Sequence, residues 1–368
     1  MDIFQNQRRD FIKKTALGAG SIGLVSSSVF ANELSSPAQE RLGIALVGLG
    51  NYATGQLAPA LEQTENCYLA GIVTGTPEKA ESWKAKYNLK SENIYDYNSF
   101  DEIANNDEID AVYIVLPNSM HAEYVIRAAK AGKQVICEKP MALTAAEGQT
   151  MIDACTENGV TLSIGYRLQY DPYHNAIITA AQEKTYGEMT YVSSQFGFKI
   201  GDPTQWRLKK ALAGGGAMMD VGIYCIQAAR YIFDAEPIAV TAQEFKTDDV
   251  KFAEVDETIT WQMEFPDGRV SNHTTSYAFG TNHLMVSAER TRAMLEPAYS
   301  YGGLKGYIGD KVLDFGKFSQ QALQLDAMAV NIVQGKPSKT SGKEGLADLK
   351  VIDAIYQSLA NGGKRVTI

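Results

Sequence analysis

The chain has 368 residues, 45% of them hydrophobic, with 34 basic and 43 acidic side chains and a formal net charge of −9. An acidic surface repels phosphate backbones and anionic headgroups, which argues against nucleic acid or membrane as a partner. The length suits two domains with cores large enough to need no staples, and Cys67, Cys137, Cys155 and Cys225 show neither a CxxC pair nor metal-ligand spacing, so buried thiols and no metal site are expected.

Residues 1–31 read as a twin-arginine export leader. Gln7-Arg8-Arg9-Asp10-Phe11-Ile12-Lys13 opens it. A mildly apolar run at 15–30 follows, too short and weak to span a bilayer. Val29-Phe30-Ala31 resembles a signal-peptidase site. The expectation is a mature chain from Asn32, exported folded to the periplasm. The leader carries Arg8, Arg9, Lys13 and Lys14 against Asp2 and Asp10, so the mature chain is more acidic still.

The next stretch, 32–165, alternates short apolar runs with amphipathic ones. Strands are expected at 43–47, 68–73, 110–116, 133–137 and 161–165. Helices are expected at 55–63, 77–87, 122–131 and 144–158, the last opened by a Thr144/Glu147 capping box. This pattern specifies α/β architecture with a doubly wound parallel sheet, which binds ligands at the carboxyl ends of its strands. Residues 166–368 change character. A helix at 172–183, a strand near 189–196 and a helix at 217–233 come first, and strand-like segments then follow in series at 238–245, 257–265, 270–277, 284–288 and 292–296. A Pro266-Asp267-Gly268 turn joins two of them. Helices at 320–334 and 345–361 close the chain. The reading is an α+β domain with a large, mostly antiparallel open sheet. Such a sheet needs covering on its free face, and a homodimer or homotetramer through it is expected.

Gly48-Leu49-Gly50-Asn51-Tyr52-Ala53 lies between the first strand and the first helix. That context makes it a dinucleotide loop of the Rossmann type. Gly48 makes the tight turn, Gly50 admits the pyrophosphate, Ala53 lets helix and strand pack, and Asn51 and Tyr52 lie at the helix entry. After the second strand the chain reads Thr74-Gly75-Thr76-Pro77-Glu78-Lys79. An acidic residue there would accept from the ribose 2′-hydroxyl. Neutral Thr74 with the Lys79 ammonium suits a 2′-phosphate instead, so the cofactor expected is NADP. An exported enzyme meets little free nucleotide, so the cofactor is expected to be tightly held.

Two further motifs lie at places where chemistry is done. Glu138-Lys139-Pro140 follows a strand, and Gly214-Gly215-Gly216 opens a helix carrying Asp220 and Tyr224 four apart, on one face. His174 is a lesser candidate for acid/base work. The set resembles the Gfo/Idh/MocA dehydrogenase superfamily, and within it the glucose-fructose oxidoreductase group, whose tyrosine stands where other members have histidine. The resemblance runs through Ile94-Tyr95-Asp96-Tyr97, Leu116-Pro117-Asn118-Ser119-Met120-His121, Gly165-Tyr166-Arg167, Tyr170-Asp171-Pro172 and Trp206-Arg207. It covers nearly all of residues 42–368. It implies that Tyr224 exchanges the sugar hydroxyl proton, that Lys139 beside it favours the phenolate, and that Asp220 orients the sugar. It also implies that Tyr95, Leu116, Asn118, His121, Glu138, Arg167, Trp206 and Arg207 surround the cofactor. The implied activity is oxidation of an aldose to its lactone, with reduction of a second sugar carbonyl on the same cofactor. Two other readings of such a chain are an NAD-dependent glycoside hydrolase and a non-catalytic sugar or cofactor sensor. Tyr224, Thr74 and the intact Lys139 and Asp220 weigh against both. In contrast to the long arm of that group, about ten residues, 32–41, precede the first strand, too few at about 3.5 Å each to wrap a neighbouring subunit.

Overall fold

A computed structural model describes residues 41–368; the export leader read from the sequence lies outside them. The first sheet holds six strands: β1 Leu42–Val47, β2 Cys67–Val73, β3 Ile94–Tyr95, β4 Ala111–Ile114, β5 Gln134–Cys137 and β6 Leu162–Ile164. All pair in parallel, in the order β3-β2-β1-β4-β5-β6. β1 is buried along its whole length, as a strand covered on both faces must be. The strand order turns back between β1 and β4, so their carboxyl ends open a crevice there. β3 has only two residues and no alternating pattern of its own, and the sequence reading passes over it.

The second sheet has nine strands. They are β7 Met189–Gly197, β8 Ala239–Phe245, β9 Thr258–Glu264, β10 Val270–Ser276, β11 Thr281–Ala288, β12 Arg292–Leu295, β13 Gly306–Ile308, β14 Lys311–Leu313 and β15 Val366–Thr367. Their order is β14-β13-β12-β11-β7-β10-β9-β8-β15. The sheet is antiparallel except at its centre, where β7 and β10 run parallel over seven residue pairs. This agrees with the expected, mostly antiparallel sheet; the one parallel pair arises because β7 enters before the helix Ile223–Phe233 and takes a place between strands that come later.

The helix Ile223–Phe233 lies on one face of this sheet. Ile223, Ile226 and Ile232 share a buried cluster with Val192, Val240, Ile259 and Leu284. A division of the chain at 165/166 separates the two sheets but not the packing. The helix Gln320–Val333 returns to the first sheet, where Leu325, Met328 and Ala329 join Ile44, Leu46 and Ile72 in one core. The helix Gly342–Ala360 places Leu349 and Ile352 with Met141 and Ile164. The C-terminal helices therefore bind the two sheets into one body.

Local detail follows the chemistry of the termini. Thr144 caps the helix Ala145–Glu157 by accepting from the Glu147 amide at 3.2 Å. The return bond of the expected capping box is shifted: the Glu147 carboxylate accepts from the Leu143 amide at 3.0 Å. The expected helix at 217–233 starts as a π-turn, Met218–Gly222, before continuing as α. Its entry is held by Asp256, whose two carboxylate oxygens accept from the Gly216 and Met218 amides at 2.7 and 2.8 Å. All four cysteines are buried and free. Among the described residues no cluster of His, Cys, Asp or Glu could hold a metal ion, and no helix is long and apolar enough to cross a membrane.

Candidate active site

A cleft of about 790 Å³ runs from the loop after β1 to the helix that carries Asp220 and Tyr224. That size suits a nucleotide together with a small substrate. Its first end is built from backbone. Gly48 sits at φ 96°, and a Cβ there would meet the Val115 carbonyl oxygen at 2.7 Å, so only glycine makes this turn. A Cβ on Gly50 would meet nothing within 4 Å, which leaves the cleft side of the loop open to a ligand. Ala53 is fully buried. Asn51, Tyr52 and Thr74 all line the cleft. Lys79 reaches back from the helix Pro77–Tyr87, and its Nζ donates to the Leu49 carbonyl at 3.1 Å. An ammonium is thus held at the rim of the loop, beside Thr74. An open glycine turn with one cation at its edge fits a dinucleotide carrying a 2′-phosphate.

The middle of the cleft is lined by Leu116 and Asn118, the latter donating to the Ala213 carbonyl at 2.8 Å. This bond ties the loop after β4 to the segment bearing Trp206 and Arg207, which also line the cleft. Glu138 is buried behind Lys139. Its carboxylate accepts from the Tyr113 hydroxyl at 2.6 Å and the Lys139 amide at 3.2 Å. Burial pushes its carboxyl above the usual range, against the pull of Lys139 and the Tyr113 hydrogen bond. Gly165 makes room for it, since a Cβ there would lie 2.5 Å from Glu138 Oε1.

At the far end the charges converge on Asp220. Lys139 Nζ lies 2.7 Å from the Asp220 carbonyl oxygen and 3.3 Å from Oδ1. Arg207 Nε lies 3.2 Å from Oδ2, and the Tyr277 hydroxyl donates to Oδ2 at 2.9 Å. Burial acts to raise the Asp220 carboxyl, but Lys139, Arg207 and Tyr277 outweigh it and hold it below the ordinary carboxylate value. For Lys139, too, burial opposes the charge, yet Tyr224 and Asp220 outweigh it and raise the ammonium above its ordinary value. The Lys139 Nζ lies 4.9 Å from the centre of the Tyr224 ring. Phe196 meets the same ring edge-on at 5.6 Å. Lys139 thus shares one wall of the cleft with Asp220 and Tyr224 of a distant helical segment.

Three residues expected around a cofactor stand elsewhere. Tyr95 is turned into the first domain's core, where its hydroxyl accepts from Asn106 at 2.8 Å. Tyr97, two residues on, takes the cleft position and packs on Gly75. His121 is completely buried, and its ring bridges the carbonyl oxygens of Leu116 and Pro140 at 2.9 Å each. It braces the loops that carry Leu116 and Lys139 from beneath, because the first helical position points a side chain back toward them. Arg167 is buried behind Tyr224, its guanidinium 5.0 Å from that ring and 4.6 Å from Tyr301. His174 is buried against Asp171, Nδ1 to Oδ1 at 3.2 Å.

Tyr277 and Tyr301 are site residues that the sequence reading did not single out. Tyr277 ends a strand-like run and reads as core. Tyr301 lies in an irregular loop, half-exposed into the cleft and tilted against Tyr52 at 5.8 Å. Its neighbours Gly302 and Gly303 were the only signal of a special loop.

Comparison with known proteins agrees with this architecture. Residues 42–166 match the family model described as oxidoreductase family, NAD-binding Rossmann fold. Residues 174–296 match the GFO/IDH/MocA C-terminal domain. The chain is 31% identical over 325 residues to D-xylose 1-dehydrogenase [NADP(+)] of Haloarcula marismortui, covering 85% of this chain and 90% of that protein. It superposes on the aldose-aldose oxidoreductase of Caulobacter crescentus, solved with glycerol, with a TM-score of 0.87 at 39% identity, covering 89% of this chain and all of that one. Levoglucosan dehydrogenase, at 20% identity and a TM-score of 0.77, shares the fold. Cleft, glycine loop and domain matches together place the protein: it belongs to the Gfo/Idh/MocA family of oxidoreductases.

Proposed function

We propose that the protein is an exported aldose oxidoreductase that oxidises one sugar to its lactone and reduces a second sugar carbonyl without exchanging its nucleotide. The coarser statement is firm: it is an NADP-dependent oxidoreductase acting on sugars, in keeping with its relatives and with the neutral, lysine-flanked end of β2. One observation carries the finer reading. Lys139, Asp220 and Tyr224 meet on one wall of a cleft whose other end is the glycine loop.

A bound nicotinamide would supply the hydride acceptor for one sugar and the hydride donor for the next. The chain's own residues manage the proton and the pose. The Tyr224 phenolic oxygen accepts the proton of the sugar hydroxyl and returns it to the carbonyl of the second sugar. Asp220 is fixed by Lys139, Arg207 and Tyr277, and its remaining lone pairs orient a sugar hydroxyl. The loop after β1 binds the diphosphate on backbone amides. Lys79 and Thr74 would hold the 2′-phosphate.

Two parts of the proposal concern the cell. The twin-arginine leader sends the folded chain, with nucleotide inside, to the periplasm. The free face of the second sheet forms a homodimer or homotetramer contact; Ser193, Gln195, Thr260, Gln262, Asn272 and Thr274 lie there as half-buried cross-strand neighbours. The test is direct. Protein purified from the periplasm is dialysed and denatured, and the released nucleotide is identified. About one NADP per chain is expected; empty protein would overturn retention.

A further inference from the structure

Two arginines of this protein are almost completely buried, Arg167 at 2% and Arg230 at 3% exposure. Arg230 is surrounded by carboxylates, with Asp348 at 2.7 Å, Glu236 at 2.5 Å and Glu344 at 3.1 Å. Arg167 has no such partner among the described residues. Its Nη atoms donate to the carbonyl oxygens of Tyr299 at 2.5 Å and Ser300 at 3.3 Å and to the side-chain oxygen of Gln320. Its Nε has no partner. A buried charge without a counter-charge is costly, and carbonyl dipoles offset only part of that cost. What flanks the guanidinium is a pair of tyrosine rings, Tyr224 and Tyr301.

The other cations near Tyr224, Lys139 and Arg207, share one carboxylate. Lys139, beyond β5, is paired with Asp220. Asp220, one turn earlier on Tyr224's own helix, also holds Arg207. Burial pushes Glu138 toward its neutral form. Tyr52 of the glycine loop and Tyr299 and Tyr301 of the loop after β12 are pushed up by burial and remain neutral. His174, from the helix Pro172–Gln182, is held by Asp171.

We propose that Arg167 is a positioning residue for Tyr224: its uncompensated charge, more than that of the paired Lys139, stabilises the phenolate through which Tyr224 takes the sugar proton. The proposal rests on the reading of Tyr224 as the acid/base. The Arg167 guanidinium also lies 4.6 Å from the centre of the Tyr301 ring, so one buried group contacts two rings of the site.

The experiment compares Arg167→Gln, Arg167→Lys, Lys139→Met and Tyr224→Phe as holoenzymes. Sugar oxidation is followed against pH, and nucleotide affinity is measured separately. Arg167→Gln should move the rising limb of the profile to higher pH by about 1–3 units, the size expected for loss of one close charge. Its nucleotide affinity should be unchanged. Arg167→Lys should keep the limb near its original place, and Lys139→Met should move it less than Arg167→Gln does. An unmoved limb in Arg167→Gln, a larger shift in Lys139→Met, or weakened nucleotide binding with no shift would overturn the proposal; the last would assign the charge to the cofactor. If Arg167→Gln does not fold, the ultraviolet tyrosinate difference between Lys139→Met and its Tyr224→Phe double variant decides. The signal persists if Arg167 carries the effect and is lost if Lys139 does. An active Tyr224→Phe enzyme would defeat the acid/base reading itself; an inactive one with an unmoved Arg167→Gln profile would defeat only the role of Arg167.

Discussion

The two ends of the cleft are built by opposite means. The glycine-loop end is a run of consecutive residues, Gly48 to Ala53, whose backbone lies open to the cleft, with the Lys79 ammonium reaching in from an exposed helix face. The chemical end is assembled from separate segments of the chain: Lys139 after β5, Arg207 and Asp220 beyond β7, Tyr277 after β10. Its side chains carry charges largely out of water, each held by the others. The first end should therefore tolerate side-chain loss with graded effects on affinity. At the second, removing one group leaves its partners uncompensated.

The largest effect is expected at the chemical end. Tyr224→Phe should keep fold and nucleotide binding while sugar oxidation falls about 10²–10⁴-fold in kcat, as for loss of a general acid/base. Single-turnover kinetics with bound nucleotide would read this, and near-normal turnover would move the proton transfer to another group.

Asp220→Asn comes next, because it leaves Lys139 and Arg207 facing each other across a neutral amide. A cost of about 3 kcal/mol in unfolding free energy is expected at neutral pH. The pH dependence has a definite sign. The Asp220 carboxyl is held below its ordinary value, so its contribution is present above the unfolded value of about 3.9 and is lost as pH falls through the lower folded value. Urea unfolding at neutral and acid pH should show the variant losing less on acidification than the unmodified protein. Parallel pH curves would contradict the coupling.

At the nucleotide end the expected change is smaller. Lys79→Ala should weaken NADP by about tenfold, the low end for a charge-assisted hydrogen bond because the side chain is exposed. NAD affinity should stay within a factor of two or so of its original value, given that no contact with the 2′-hydroxyl is removed. Equal losses for the two nucleotides would remove Lys79 from the specificity contact and sharpen the case for Thr74 alone.

The same contrast explains what could be read from the sequence. The glycine loop was legible because its requirements are local: a strand before it, a helix after it, and a turn that Cβ would block at Gly48. Lys139, Asp220 and Tyr224 were legible only as a set, through family resemblance, since each alone reads as an ordinary surface or core residue. Arg167 and His121 carry the right motif, yet nothing in the sequence says which way a buried side chain turns. Tyr95 and Tyr97 show the same problem over two residues. In the sequence the triple glycine marks only the opening of a helix. The structure gives a more specific reason: Cβ atoms at Gly215 and Gly216 would lie 1.9 Å from the Tyr356 hydroxyl and the Asp256 carbonyl oxygen. The parallel pair at the centre of the second sheet and the return of the C-terminal helices to the first were hidden for a further reason. Both depend on where the chain goes after long connections, and periodicity reports only on the segment itself.

In the proposed function one chain, with one nucleotide, works on two sugars in turn. Absorbance at the reduced-nicotinamide band tests this most directly, using exhaustively dialysed periplasmic protein with no nucleotide added. An aldose should raise the band to about one equivalent per chain, and a second, carbonyl-bearing sugar should then return it to baseline, repeatedly. A band that never rises until NADP is supplied, and then grows in proportion to the NADP supplied, would contradict the claim.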